Sequence, residues 1–225
     1  MRPNLISNKR EWNNRFIKNV PKCFNVSSTL KHLGALDTFD AGKTPGNDEI
    51  PAEFFKIFWN SVGELMTEVF TYSFELGQMS NSQKQAIITL IDKKGRDRMF
   101  LENWRPISLI NVDSKIATKV IAKRMKNVLS SVIHANQSGL MKGRFIGETA
   151  RSVLDIIAHT ESLQLPGVLL FIDFEKAFDS IEHVFLYKTL ECFNFGPSFI
   201  KWIQTFYNNL SSCVLNKGFS LLLFN

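Results

Sequence analysis

Five apolar residues in succession, Val168-Leu169-Leu170-Phe171-Ile172, stand between Pro166-Gly167 and Asp173. A run with no polar alternation, bounded by chain breakers and too short for a buried helix, predicts a strand covered on both faces. Such a strand needs sheet neighbours and flanking helices, so it argues for a layered mixture of helix and sheet. It also delivers a carboxylate, Asp173, to the strand end where ligands collect in open sheets. The chain of 225 residues, 44% hydrophobic, is long enough for one domain or a compact pair and too apolar for wholesale disorder. No apolar run approaches the ~20 residues a membrane span needs, and the polar N-terminus shows no signal-peptide core. Cys23, Cys192 and Cys213 are odd in number and far apart, which argues against a disulfide partner or zinc site and for an intracellular, reducing setting in cytoplasm or nucleus.

Charge is unevenly placed. The chain carries 27 Lys and Arg against 21 Asp and Glu, a formal +6. Residues 84–144 hold 13 basic and 4 acidic residues, net +9, so the remainder is net −3. A basic block of that kind is either the footprint of a polyanion or a solvated Lys-rich face.

Periodicity supplies the other elements. Trp12, Phe16 and Val20 have helical spacing, as do Leu30, Leu33 and Leu36. A loop over residues 41–48 leads to Pro51 at the first position of a helix over residues 52–76, with Phe54, Phe55, Phe58, Val62, Leu65, Met66, Val69 and Phe70 on its buried face and Gly77 as its stop. Residues 86–91 and 107–110 read as strands around the charged turn 92–98. A helix over residues 114–133, capped by Asp113, carries Lys115, Lys119, Lys123 and Lys126 on one stripe, tolerable in solvent and favourable against a phosphate backbone. Helices over 148–163, 181–193 and 197–209 and a short strand over 212–215 complete the expectation. The four histidines share no metal-ligand spacing, and Gly42-Lys43-Thr44 lacks the upstream half of a P-loop. Trp104 and Phe145 lie near basic residues and could stack on bases, although core packing is the commoner use of such rings.

The densest chemistry lies in Phe171-Ile172-Asp173-Phe174-Glu175-Lys176-Ala177-Phe178-Asp179. An Asp fixed at a strand end can hold Mg²⁺ through oxygen. The plainer alternative is that Asp173 ends the strand and Asp179 caps the next helix. This segment resembles motif A of the reverse transcriptases of non-LTR (LINE-type) retrotransposons, F-x-D-x-x-K-A-F-D. Four further stretches agree in order: Gly42–Lys56 with G-K-x-P-G-x-D-G-I-P-x-E-F-Y-K, Ile88–Gly95 with I-x-L-I-P-K-K-G, Asn103–Leu109 with N-W-R-P-I-S-L, and Gln137–Arg144 with Q-x-G-F-x-x-G-R.

The resemblance covers about residues 30–218. It implies an α+β, helix-rich partial right-hand polymerase with a small, incomplete sheet: an N-terminal segment (1–40), a fingers-like region (41–165) and an incomplete palm (166–225). By motif position it implies that Asp173 is catalytic and binds metal together with the Phe174 carbonyl. Phe178 becomes the bulky gate against a 2′-OH, and Lys94 and Arg105 grip the triphosphate, with Lys93 an alternative to Lys94. It further implies Mg²⁺, an RNA template, a DNA primer and a deoxynucleoside triphosphate. Lys115, Lys119, Lys123, Lys126, Lys142 and Arg144 are the nucleic-acid contact candidates.

Departures qualify that reading. Glu49 replaces the family's Gly, and Asp92 its Pro. No Asp-Asp pair occurs in the chain, whereas a two-metal site needs at least two converging carboxylates. The turn that follows Asp173 is expected to occupy Asp179. The sequence therefore predicts RNA-directed DNA polymerase ancestry with activity lost. The alternatives are a non-catalytic RNA- or DNA-binding module built on residues 84–144, or a non-functional retrotransposon remnant. It also predicts that the edge of the strand at residues 168–172 and the apolar tail at 221–224 are exposed and prone to self-association.

Overall fold

A computed structural model describes residues 34–216 and 219–224. The helical pattern of Trp12, Phe16 and Val20, and that of Leu30 and Leu33, lie outside the described residues, as does Cys23.

The first long helix, α1, spans Ala52–Leu76 and stops at Gly77, whose φ of +75° suits a residue without Cβ. Pro51 is its N-cap, one position earlier than expected. The buried stripe of α1 is narrower than the sequence suggests. Ala52, Phe55, Gly63, Phe70 and Ser73 face inward, whereas Phe54, Phe58 and Leu65 remain exposed. A single turn, α2 (Asn81–Lys84), follows, closed by a reciprocal cap between Ser80 and Gln83.

Strand β1 (Gln85–Asp92) and strand β2 (Trp104–Ile110) form an antiparallel hairpin, with Ala86 opposite Ile110 at its base and Asp92 opposite Trp104 near its tip. Helix α3 (Val112–Val132) starts directly after Asn111, and α4 (Ile146–Ser162) follows a glycine-punctuated loop. Helices α5 (His183–Cys192) and α6 (Pro197–Tyr207) lead to β3 (Ser211–Asn216) and β4 (Phe219–Phe224). The sheet order is β2-β1-β3-β4, with β3 parallel to β1 and β4 antiparallel to β3. The α+β, helix-rich architecture with a small sheet is therefore present.

The core lies among α1, α3, α5 and α6. Its buried members include Phe55, Phe70, Ile116, Phe195, Phe199 and Trp202, and the Phe74 ring stacks on Trp202 at 4.9 Å between centroids. Four helices thus meet around aromatic side chains, and each such buried side chain contributes about 2–3 kcal/mol in apolar transfer.

One expectation is corrected. Residues 168–172 form no strand. They run irregularly and exposed, from Val168 at 96% to Leu169 at 49%, and no described strand pairs with them. The edge of β1 that could have received a further strand is taken by β3. An extended run with no ladder partner leaves its amides and carbonyls to water, so strand geometry gains nothing there. Residues 219–224, which include the apolar tail, pair with β3 and form the sheet's outer strand.

Candidate functional site

The hairpin tip is built by Lys93-Lys94-Gly95-Arg96. Arg96 N–H donates to the Lys93 carbonyl at 3.1 Å, and Gly95 takes φ +73°, which a turn of this kind reserves for glycine at its third position. Lys94 therefore stands at the exposed apex. Arg105 projects, also exposed, from β2 opposite Ile91.

The two lysines are distinguished by their surroundings. Lys93 is half-buried, and its ammonium donates to the Glu102 carbonyl at 2.7 Å. The negative charge of Asp92, unfavourable beside a phosphate, is answered by Arg98, which donates from Nε at 3.0 Å and from Nη2 at 2.8 Å to one carboxylate oxygen. The Arg98 hydrogen bonds hold the Asp92 carboxyl below the usual carboxylate range. Further bonds brace the tip: Trp104 Nε1 donates to the Arg98 carbonyl at 3.0 Å, and Asn103 Nδ2 to the Asp97 carbonyl at 2.8 Å. Trp104 is thus a brace of this turn. Sequence reasoning passed over Arg96, which is exposed on the same turn as Lys94; its place one residue after the glycine was the available signal.

The base of the hairpin is a buried polar knot. Asn111 is 0% exposed. Its Nδ2 donates to the Ser82 carbonyl at 3.1 Å and the Ser82 hydroxyl at 2.9 Å, and its Oδ1 accepts from Asp48 N–H at 3.3 Å. Gln83 Nε2 donates to Asp113 Oδ2 at 2.8 Å, and the Ser114 hydroxyl to the Gln83 carbonyl at 3.0 Å. Asp113 is therefore not the N-cap of α3. Asn111 holds that position, and its side chain is turned away from the helix. Gly46 lies against this knot so closely that a Cβ would sit 2.2 Å from Asn111 Oδ1. Burial pushes the Asp48 carboxyl above its usual value, while its Oδ1 accepts from Ile50 N–H.

The lysine stripe of α3 is partly committed to the chain itself. Lys119 donates to the Thr38 carbonyl at 2.9 Å and lies 4.0 Å over the Phe39 ring, and Lys56 donates to the Phe39 carbonyl at 2.6 Å. Lys115 and Lys119 are half-buried, and burial lowers both ammonium pKa values. Lys123, Lys126 and Lys142 are exposed. Arg144 closes the other end of α3. It donates to the carbonyls of His134, Gln137 and Ile133 at 2.6, 2.7 and 3.0 Å, where a cation also meets the negative end of the helix dipole. Phe145, next in sequence, is exposed.

Asp173, Phe174 and Phe178 lie on the exposed segment before α5. Asp179 N–H donates to the Lys176 carbonyl at 2.9 Å, which places Asp179 in a local turn; Glu182, not Asp179, is the N-cap of α5. A carboxylate and a backbone carbonyl are the hard oxygen donors that Mg²⁺ prefers. Among the described residues, no three His, Cys, Asp or Glu side chains converge.

The site is thus a hairpin of exposed cations, fixed at its base to a helical body, with the F-x-D segment later in the chain. The reverse transcriptase (RNA-dependent DNA polymerase) family matches residues 91–221, from the end of β1 into β4. The chain belongs to that family. It is 37% identical, over 86% of its length, to a Xenopus laevis protein named transposon TX1 uncharacterized 149 kDa protein, of which it covers 15%. It is 27% identical over 63% of its length to the probable RNA-directed DNA polymerase from transposon X-element of Drosophila melanogaster, covering 16% of that protein. To the RNA-directed DNA polymerase from mobile element jockey of the same fly it is 23% identical over 67% of its length, covering 17%. The chain thus spans less than a fifth of these relatives, and its reverse transcriptase character is of the non-LTR transposon kind that its motifs resemble.

Proposed function

We propose that residues 41–165 act as the fingers of an RNA-directed DNA polymerase, with residues 166–225 contributing part of its palm, and that the β1–β2 hairpin grips the triphosphate of an incoming deoxynucleotide. One observation carries this reading: Lys94 and Arg105 are exposed on a single braced hairpin, while Lys93 is bonded to a backbone carbonyl and Asp92 to Arg98. Lys94 is accordingly the phosphate ligand rather than Lys93. Arg105 offers a planar fork and Lys94 a compact charge, two complementary donors for phosphate oxygens. Arg96 adds a third cation at the same place.

Asp173 and the Phe174 carbonyl would hold Mg²⁺, which when bound would stabilise the entering and leaving oxygens of phosphoryl transfer. Phe178 would stand against the 2′ position of the sugar. Polymerisation needs at least one more carboxylate converging on Asp173, so the chain alone is expected to bind nucleotide without extending a primer. Template RNA and primer DNA would follow Lys123, Lys126 and Lys142, together with Lys115. Lys119 and Arg144 could join them only by sharing donors now used on the chain's own carbonyls. The exposed run at residues 168–172 would drive self-association at high concentration.

Primer extension on an RNA template with Mg²⁺ tests the reading. Binding of template without synthesis is expected; synthesis abolished by Asp173→Asn would overturn the inactivity. A non-catalytic nucleic-acid-binding role, favoured by the basic block, predicts a log–log salt slope of about −0.7 per phosphate contact on single strands. That slope should shrink in the triple variant Lys115→Ala, Lys123→Ala, Lys126→Ala.

A further inference from the structure

The hairpin is held at both ends, and the two holds differ. At the tip, side chains bond to their own turn. At the base, three separate segments close around one side chain. The loop before α1 contributes Gly46 and Asp48, α2 contributes Ser82, and the β2–α3 junction contributes Asn111 itself. Every hydrogen-bonding function of the Asn111 amide faces one of them. An Asn at a helix N-cap ordinarily turns its side chain onto the first amides of the helix. Here that bond is absent, and the side chain points into the knot.

We infer that Asn111 is the positioning residue of the nucleotide-gripping hairpin, setting the angle at which β1 and β2 leave the helical body. The inference rests on the reading that Lys94 and Arg105 bind triphosphate. Its physical basis is leverage. The base of β1 is also paired with β3, over Gln85–Ile88, so Asn111 shares the hold there, and four residues of β1 run on from Ile88 to Asp92 near the tip. At the rise of a strand that is a lever of ~13 Å. A swing of about 15° would carry the tip cations about 3.5 Å, beyond the reach of an ordinary hydrogen bond. Donor and acceptor on one short, uncharged side chain are both required. Ala supplies neither, and a carboxylate in this place would be buried beside Asp48 and Asp113 with no donor for Ser82.

The test uses the full chain and a fluorescent (mant-labelled) deoxynucleoside triphosphate with Mg²⁺, read by anisotropy, with amide hydrogen exchange on the same samples. Lys94→Ala and Arg105→Ala should each weaken binding about tenfold, the loss of one charge-assisted contact. Asn111→Ala should weaken it by about as much through misplacement. Exchange should then rise in residues 86–92 and 104–110 while α1 and α6 stay protected. Because Asn111 acts through the tip cations, its effect should fall below about twofold in the combined Lys94→Ala, Arg105→Ala background. Ser82→Ala, at an exposed residue, removes one partner of the amide and should cost about two- to threefold with the fold intact; it decides the matter if Asn111→Ala does not fold. Unchanged affinity in Asn111→Ala and Ser82→Ala, beside a loss in Lys94→Ala, overturns the positioning role and leaves the hairpin reading standing. Unchanged affinity in Lys94→Ala and Arg105→Ala overturns the hairpin reading itself, and the positioning role with it.

Discussion

The polar knot beneath the hairpin and the exposed segment at residues 163–182 carry equally recognisable family motifs, yet they use their residues in opposite ways. In the knot, Gly46, Asp48, Ser82, Gln83, Asn111, Asp113 and Ser114 engage one another across sequence separations of about 30 to 60 residues. In the exposed segment the hydrogen bonds described are local, such as Asp179 to Lys176 and Ser180 to Lys176. Residues of the first motif are explained by contacts within the chain. The second motif is apolar without being covered, and its acidic groups meet no converging partner among the described residues.

The comparison breaks most directly at two glycines. Gly46→Ala would place a Cβ 2.4 Å from Asn111 N and 2.5 Å from the Ile110 carbonyl carbon, both backbone atoms that cannot yield cheaply. A loss of about 3 kcal/mol or more is expected in denaturant unfolding. Gly167→Ala in the exposed segment meets nothing within 4 Å and should change stability by no more than about 0.5 kcal/mol. Similar losses at both sites would erase the distinction.

A smaller effect is expected at Arg144. Arg144→Ala strips three carbonyls at the end of α3 of their donor and should cost about 1–2 kcal/mol, with faster amide exchange confined to residues 129–137. Arg144→Lys should recover only part of it, because one ammonium cannot span the carbonyls that the guanidinium fork reaches. Glu49→Gly should act in the other direction. Glu49 is exposed at φ +58°, a left-handed conformation costly for a residue with Cβ. Relief of that cost, less the extra freedom glycine gives the unfolded chain, should raise stability by about 0.5–1 kcal/mol in thermal unfolding.

The smallest effect concerns pH. Burial raises the Asp48 carboxyl in the folded chain. The folded state then holds the proton more tightly than the unfolded state. This contribution to stability is full below the ordinary carboxylate range and is lost as pH rises through the raised value. Asp48→Asn keeps an acceptor for Ile50 N–H and removes the charge, so it should flatten that slope above the ordinary carboxylate range. An unchanged slope would place the titration elsewhere.

Much of the fold was legible in the order of the amino acids. Helical periodicity located α1 and α3 to within two residues, because an amphipathic stripe is written every three or four positions wherever a helix meets a core. The hairpin was legible from β-branched residues around a charged, glycine-containing turn. The motifs identified Lys94 and Arg105 as candidates. They did not show that Lys93 is bonded to Glu102 or that Arg98 answers Asp92, because both partners are chosen by the return of the chain.

What the sequence determined by itself is local and periodic: the long helices, the hairpin, the concentration of positive charge, and the family. Tertiary structure decided which face of each element is covered. Apolarity at residues 168–172 states that the run favours burial, but no pattern within five residues tells whether a neighbour is at hand to bury it. The place beside β1 went to residues 211–216, more than a hundred positions away, and the side chain of Asn111 left its helix for a knot of three segments. Those outcomes depend on which distant groups arrive together, since a strand without a ladder or an amide without partners gains nothing from its own sequence.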